Sequence, residues 1–364
     1  MIAIYSFILS FAACWLIIKT NSYHAKFSAD HELKGVQKFH KVPTPRIAGL
    51  AIFVSSWLVA SYGLIEHALW AKFFVKLLVP TSMVFAVGLA EDLVKKLTPM
   101  QRLVMVIFAC LIGVYAVHIV NMVTHTNVMI IDYFLRFEPL SLILTIFILL
   151  GATNAFNIID GYNGLCITTF TTILITCLFI AYRVNYHYLD QSILILLGAV
   201  IGIMLWNYPL GKIFLGDGGA YFLGFIATLI LLELSQHVPD YSPFTSLLIM
   251  IYPISETLLS IYRKKFLRGK SPFQPDRLHM HMVVYYRLIR HDHHNRNAAV
   301  VVKMLWFIIP QLIAALMLHK QQLYIIIAIF TYITVYFWVY FRIVSFNSLR
   351  ILPLRLRKRS NEID

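Results

Sequence analysis

The chain has 364 residues, of which 59% are hydrophobic and only 13% charged. A soluble domain carries about 25% charged residues, so a water-soluble globule of this length is excluded. The formal net charge of +14 calls for no nucleic acid, because the basic residues divide by membrane side and suit anionic lipid headgroups.

A run of about 20 apolar residues crosses the hydrocarbon of a bilayer as a helix. The first such run, 1–18, holds no charge, and its start lacks the basic stretch of a secretory signal, so it is expected to remain as a first span. Further apolar blocks follow at 47–65, 73–89, 103–118, 140–156, 166–182, 193–206, 221–234, 244–261, 301–318 and 323–341. The expectation is an all-α, polytopic transmembrane protein of about eleven spans. A single integral membrane domain covers 1–342, and a basic cytoplasmic tail covers 343–364. With the N-terminus outside and the C-terminus inside, 26 of the 31 Lys and Arg residues fall on the cytoplasmic side. Cys14, Cys110, Cys166 and Cys177 all lie in apolar blocks and read as small buried hydrophobes.

Ionisable groups at membrane depth are costly and are functional by default. Here they collect at the expected cytoplasmic ends of blocks, in five segments far apart in sequence. The first is basic: His40 and Lys41, then Pro43-Thr44-Pro45-Arg46. The second sets Glu91 and Asp92 four residues before Lys95 and Lys96. Such pairs often decorate a helix end, yet two adjacent carboxylates repel and gain from a nearby cation or a metal-bound phosphate. The third places Asn154, Asn157, Asp160 and Asn163 at every third residue, which on a helix is one face. Four polar groups exceed what interhelical hydrogen bonding requires. Gly161 and Gly164 would let backbone approach a ligand.

The fourth segment is Phe214-Leu215-Gly216-Asp217-Gly218-Gly219. Its plain reading is a turn with a helix cap, but a carboxylate between glycines is also a natural Mg²⁺ ligand. The fifth is Pro275-Asp276-Arg277-Leu278-His279-Met280-His281, in the most basic loop. Arg277 with His279 and His281 suits pyrophosphate oxygens.

Together, and in this order, the five segments resemble the polyprenyl-phosphate N-acetylhexosamine-1-phosphate transferases. That family includes the phospho-N-acetylmuramoyl-pentapeptide transferase and the enzymes that initiate O-antigen and related polymers. The resemblance implies a ten- or eleven-span helical fold with a cytoplasmic active site in a bacterial inner membrane. It implies transfer of an N-acetylhexosamine 1-phosphate from a UDP-sugar, by default UDP-GlcNAc, to undecaprenyl phosphate with release of UMP, dependent on Mg²⁺ or Mn²⁺. By resemblance Asp217 and Asn157 are metal ligands, and Glu91 and Asp92 are the acidic pair at the lipid phosphate, with Lys95 beside them. Asp160 and Asn163 lie near the nucleotide, and Asn154 is a further substrate-binding position. Arg277, His279 and His281 lie near the pyrophosphate, and His40 and Lys41 belong to the basic segment after the first span. Two departures stand out: Glu91 replaces the first aspartate of the pair, which favours Asp92 as the catalytic carboxylate, and Met282 replaces a third histidine.

The lipid phosphate is expected to attack the β-phosphorus directly, with covalent attack by Asp92 as the open alternative. Donor choice separates this reading from a pentapeptide-sugar transferase. A transporter for a nucleotide-sugar or anion would spread polar groups through the bilayer on related halves, and no motif here has a second copy. A homodimer is compatible with the sequence.

Overall fold

The structure is a computed structural model, and it describes residues 1–30, 43–94, 97–119, 122–267, 269, 278–289 and 296–345. It is built from helices, as lipid demands: only a helix or a closed barrel satisfies its own backbone polar groups in hydrocarbon. Helix α1 (Ile2–Lys19) and the short α2 (Asn21–Ser28) lead into a two-residue antiparallel ladder, β1 (Ala29–Asp30) with β2 (Thr44–Pro45). Then come α3 (Gly49–Ile65), α4 (Leu69–Val94), α5 (Pro99–Leu111, extended by one π turn), α6 (Met129–Leu135), α7 (Glu138–Ile159), α8 (Leu165–Arg183) and α9 (His187–Asn207). The chain continues with α10 (Gly216–His237), α11 (Pro243–Ile249), α12 (Ile251–Tyr262), α13 (Met280–Val284), α14 (Arg296–Leu318) and α15 (Gln322–Ser345).

Each of the eleven apolar blocks is helical. Among the described residues, eight helices are long and apolar enough to cross a membrane, and α11 with α12, bent by 73°, makes nine if the pair is one span. The other two are shorter, Gly49–Ile65 and Met100–Ala116. At 1.5 Å per residue, a 17-residue helix such as α3 is about 26 Å long, slightly less than a hydrocarbon core of about 30 Å.

Helix α10 is the centre of the bundle. Every residue from Gly216 to Leu234 is buried, and the helix packs against α3, α4, α7 and α8. A helix apolar on all sides is one enclosed by others. The approach is backbone to backbone at its first turn: a Cβ placed on Gly88 of α4 would lie 2.5 Å from Gly218 Cα. Helix direction then assembles the polar segments. The starts of α3 and α10 and the end of α4 meet at one end of the bundle, and α7 runs beside α10 towards the same end.

Gly88→Ala should push α4 off α10 and cost about 1–3 kcal/mol of overpacking, seen as a lower melting temperature in detergent. Gly151→Ala is the control, because a Cβ there meets nothing within 4 Å.

Candidate active site

The first N–H groups of an α-helix have no partner within the helix. At α10 two of them are met by a side chain from another span. Asp92 Oδ1 accepts from Asp217 N–H and Asp92 Oδ2 from Gly218 N–H, both at 2.9 Å. A carboxylate at a helix N-terminus is favoured by the helix dipole as well. The close fit needs Gly216, whose φ of +81° is left-handed and whose added Cβ would collide with Arg46 O and Asp92 Oδ2.

Arg46 arrives just ahead of α3. Its segment is tied to the loop before α10 by Phe214 N–H to Pro45 O at 2.8 Å and Ala48 N–H to Phe214 O at 3.0 Å. Arg46 Nη2 donates to Asp217 Oδ1 at 2.5 Å, and its Nε lies 3.6 Å from Asp92 Oδ1. One guanidinium thus offsets two carboxylates that repel each other. Glu91, next to Asp92, keeps its Oε2 buried, with no hydrogen-bond partner among the described residues. Glu91 is also within electrostatic reach of Arg102, which donates to Tyr221 Oη at 3.2 Å.

The third polar segment is not a continuous helical face. Helix α7 stops at Ile159, Asp160 caps it, and a turn leads to Gly164, which enters α8 at φ +85°. Asn154 is exposed and spends its Nδ2–H on Leu150 O of its own helix at 2.9 Å. Asn157, one turn on, is half-buried, and Asn163 packs over Gly211. The turn is held by Asn207, whose Oδ1 accepts from Gly164 N–H at 2.6 Å while its Nδ2 donates to Ile213 O at 2.7 Å. Asp160 keeps some surface but is ringed by protein. Desolvation pushes its carboxyl well above the usual carboxylate range, against the pull of Arg46 and with a further push from Asp217 and Asp92.

His279 and His281 are buried beside this turn, their rings stacked with centroids 5.4 Å apart. Their partner is Glu256 of α12, 1% exposed. Glu256 Oε2 accepts from Met280 N–H at 3.0 Å and lies 3.5 Å from His279 Nδ1, and Oε1 lies 3.2 Å from His281 Nδ1. A Cβ on Gly161 would sit 2.7 Å from His281 Nε2. Burial pushes the His281 imidazole down, and Glu256 pulls it part of the way back. Met282, at the departure from the three-histidine pattern, is fully buried.

The structure therefore joins Asp92 and Asp217 directly, brings Asp160 within their field, and sets His279 and His281 against the turn that follows Asp160. It does not draw Asn154 to them. His40, Lys41, Lys95 and Arg277 lie outside the described residues, as does most of the tail. Two residues join the set. Arg46 stands in the basic segment but has no signal that separates it from its neighbours; Glu256 had one, as the only charge in block 244–261.

Among the described residues no three His, Cys, Asp or Glu converge to enclose a metal ion. The donors at the cluster are nonetheless oxygens, and four carboxylates (Glu91, Asp92, Asp160, Asp217) face two guanidiniums, Arg46 and Arg102. This fits a hard divalent ion, which needs one or two carboxylates and completes its shell with water and phosphate oxygens.

Asp92→Ala leaves two buried amide N–H groups unmatched and should cost about 2–5 kcal/mol of stability. Asp217→Ala removes a repelling neighbour and should cost less. Melting of the two variants in detergent checks the order.

The sequence profile of glycosyl transferase family 4 matches residues 74–235, a stretch that holds Asp92, the α7–α8 turn and Asp217. The chain is 28% identical to a probable undecaprenyl-phosphate N-acetylglucosaminyl 1-phosphate transferase of Bacillus subtilis, over 79% of this chain and 77% of the relative. It is 26% identical to a decaprenyl-phosphate N-acetylglucosaminephosphotransferase of Mycolicibacterium smegmatis, over 73% of this chain and 70% of the relative. It is 33% identical to the undecaprenyl-phosphate alpha-N-acetylglucosaminyl 1-phosphate transferase of Escherichia coli K12, over 40% of this chain and 41% of the relative. With this profile over its central part, these relatives and a helical bundle that carries its acidic residues at helix ends, the chain is similar to the polyprenyl-phosphate N-acetylglucosamine 1-phosphate transferases of glycosyl transferase family 4.

Proposed function

We propose that this protein transfers N-acetylglucosamine 1-phosphate from UDP-GlcNAc to undecaprenyl phosphate, releasing UMP. The step would initiate a bacterial surface polysaccharide such as O-antigen, with the site on the cytoplasmic side of the inner membrane, the N-terminus outside and the C-terminus inside. One observation carries the reading: acidic side chains from α4, the α7–α8 turn and α10 gather round Arg46, with a buried histidine pair against the same turn. The names of the relatives support GlcNAc 1-phosphate as the group transferred and a polyprenyl phosphate as acceptor.

An oxygen of the lipid phosphate forms a bond to the β-phosphorus, and the bond from that phosphorus to the bridging oxygen breaks, so UMP leaves with both bonding electrons. Phosphoryl transfer of this kind asks for positioning and charge neutralisation rather than covalent work. Asp217 and Asn157 would hold Mg²⁺ (or Mn²⁺), which supplies neutralising charge for the pyrophosphate when bound. Arg46 fixes the Asp217 carboxylate. Asp92 accepts one α10 amide on each oxygen, which favours a part in holding the helix start over attack on phosphorus. That shifts the acidic role at the lipid phosphate to Glu91, whose Oε2 has no partner among the described residues. His281, which lies against Gly161 with His279 stacked on it, would face the donor from the far side of the turn.

Membranes given UDP-GlcNAc, undecaprenyl phosphate and Mg²⁺ should release UMP and form a GlcNAc-pyrophosphoryl lipid. EDTA should stop release and added Mg²⁺ should restore it. Asp217→Ala should lower turnover at least about 10³-fold at saturating donor, and near-normal turnover by that variant would remove Asp217 from the site.

A further inference from the structure

The Glu256 carboxylate is buried in α12, a helix of the bent pair, and it faces α13 across the bundle. Met280 N–H at 3.0 Å and His281 N–H at 3.4 Å donate to it, His281 Nδ1 is in hydrogen-bond contact at 3.2 Å, and His279 Nδ1 lies 3.5 Å away at ion-pair distance. A carboxylate accepts and cannot donate, so an Nδ1 facing it carries the proton. The ring of His281 is then fixed with Nε2 on the opposite side. That atom is buried, has no hydrogen-bond partner among the described residues, and lies against Gly161 in the α7–α8 turn. The ring is boxed in by His279 stacked at 5.4 Å and Tyr162 edge-on at 5.7 Å. A buried nitrogen without a partner calls for one, and a substrate oxygen beside Gly161 can supply it.

We propose that Glu256 is a positioning residue of the transfer site: it holds the Nδ1–H of His281 and the orientation of the ring, and it balances the charge when Nε2 takes a proton, so that Nε2–H donates to a phosphate oxygen of the substrate bound beside Gly161. This rests on the proposed transfer reaction and adds to it a residue two elements away. The physical logic is that of any carboxylate–imidazole pair. The carboxylate orients the ring and balances the positive charge that a phosphate ligand calls for, without itself touching the substrate. Glutamine in its place still accepts a backbone N–H but brings no charge, and its amide can turn an NH₂ towards the imidazole.

The test is a double-mutant cycle on UMP release with Glu256→Gln, His281→Asn and the pair, beside histidine ¹⁵N spectra of the labelled protein in lipid. Glu256→Gln should fold, with melting close to wild type, and lose at least 10-fold in kcat/KM. The pair should be no worse than His281→Asn alone, since residues that act as one unit are not additive. The ¹⁵N signals removed by His281→Asn should show the Nδ1–H form in wild type and shift in Glu256→Gln. Wild-type activity in Glu256→Gln, additive losses in the pair, or an unchanged His281 signal would each overturn the proposal. If Glu256→Gln does not survive purification, Glu256→Asp carries the same cycle and is judged by the same outcomes. A wild-type protein that releases no UMP would instead count against the transfer reaction, and the ¹⁵N comparison would still decide the role of Glu256.

Discussion

The Asp92 carboxylate bound to the first amides of α10 is the constraint on which the rest of the site depends. A buried carboxylate is costly unless its oxygens are met, and buried helix-start amides are equally costly. Each solves the other's problem, and Arg46 offsets the remaining charge. Because the partners sit on different spans, the bond also fixes how α4 meets α10. The left-handed Gly216 and the backbone contact of Gly88 with Gly218 are what allow that meeting. Asp217 inherits its position from this arrangement, one residue into the helix and held from the side by Arg46.

From that clamp the chemistry spreads outward. The cluster is richer in carboxylates than in cations among the described residues. Under the proposed reaction such a cluster would repel phosphates, and the proposed divalent cation would offset that excess. The α7–α8 turn is the hinge between the halves of the site. Asp160 on one side feels the Asp92–Arg46–Asp217 group, and Gly161 on the other touches His281. The proposed transfer between two anionic substrates would need such a meeting of opposite charges at close quarters.

The reading of Asn154, Asn157, Asp160 and Asn163 as one helical face fails for a definite reason. Period-three spacing says only which residues would align if the helix continued, and Asp160 ends it ahead of two glycines. The asparagine that secures the turn is Asn207, from the far end of α9, which no local pattern could connect to Gly164. Arg46 was visible only as one basic residue in a basic segment. Its pairing with Asp92 and Asp217 depends on the loop at Phe214 docking on Pro45 and Ala48. Glu256 was legible as a lone carboxylate in an apolar block, but its partners lie 24 and 25 residues further along the chain, across a break in the helices.

The sequence by itself determined the helical membrane architecture, the eleven apolar blocks and the five polar segments, because burial in lipid acts residue by residue and leaves its mark in composition. It also carried the family resemblance that the relatives bear out. Tertiary structure alone decided which carboxylate binds the first amides of α10. Asp92 and Glu91 are adjacent and chemically alike, yet one faces the start of α10 and the other does not. That difference comes from helix packing, in which a rotation of about 100° per residue sends neighbours to different surroundings.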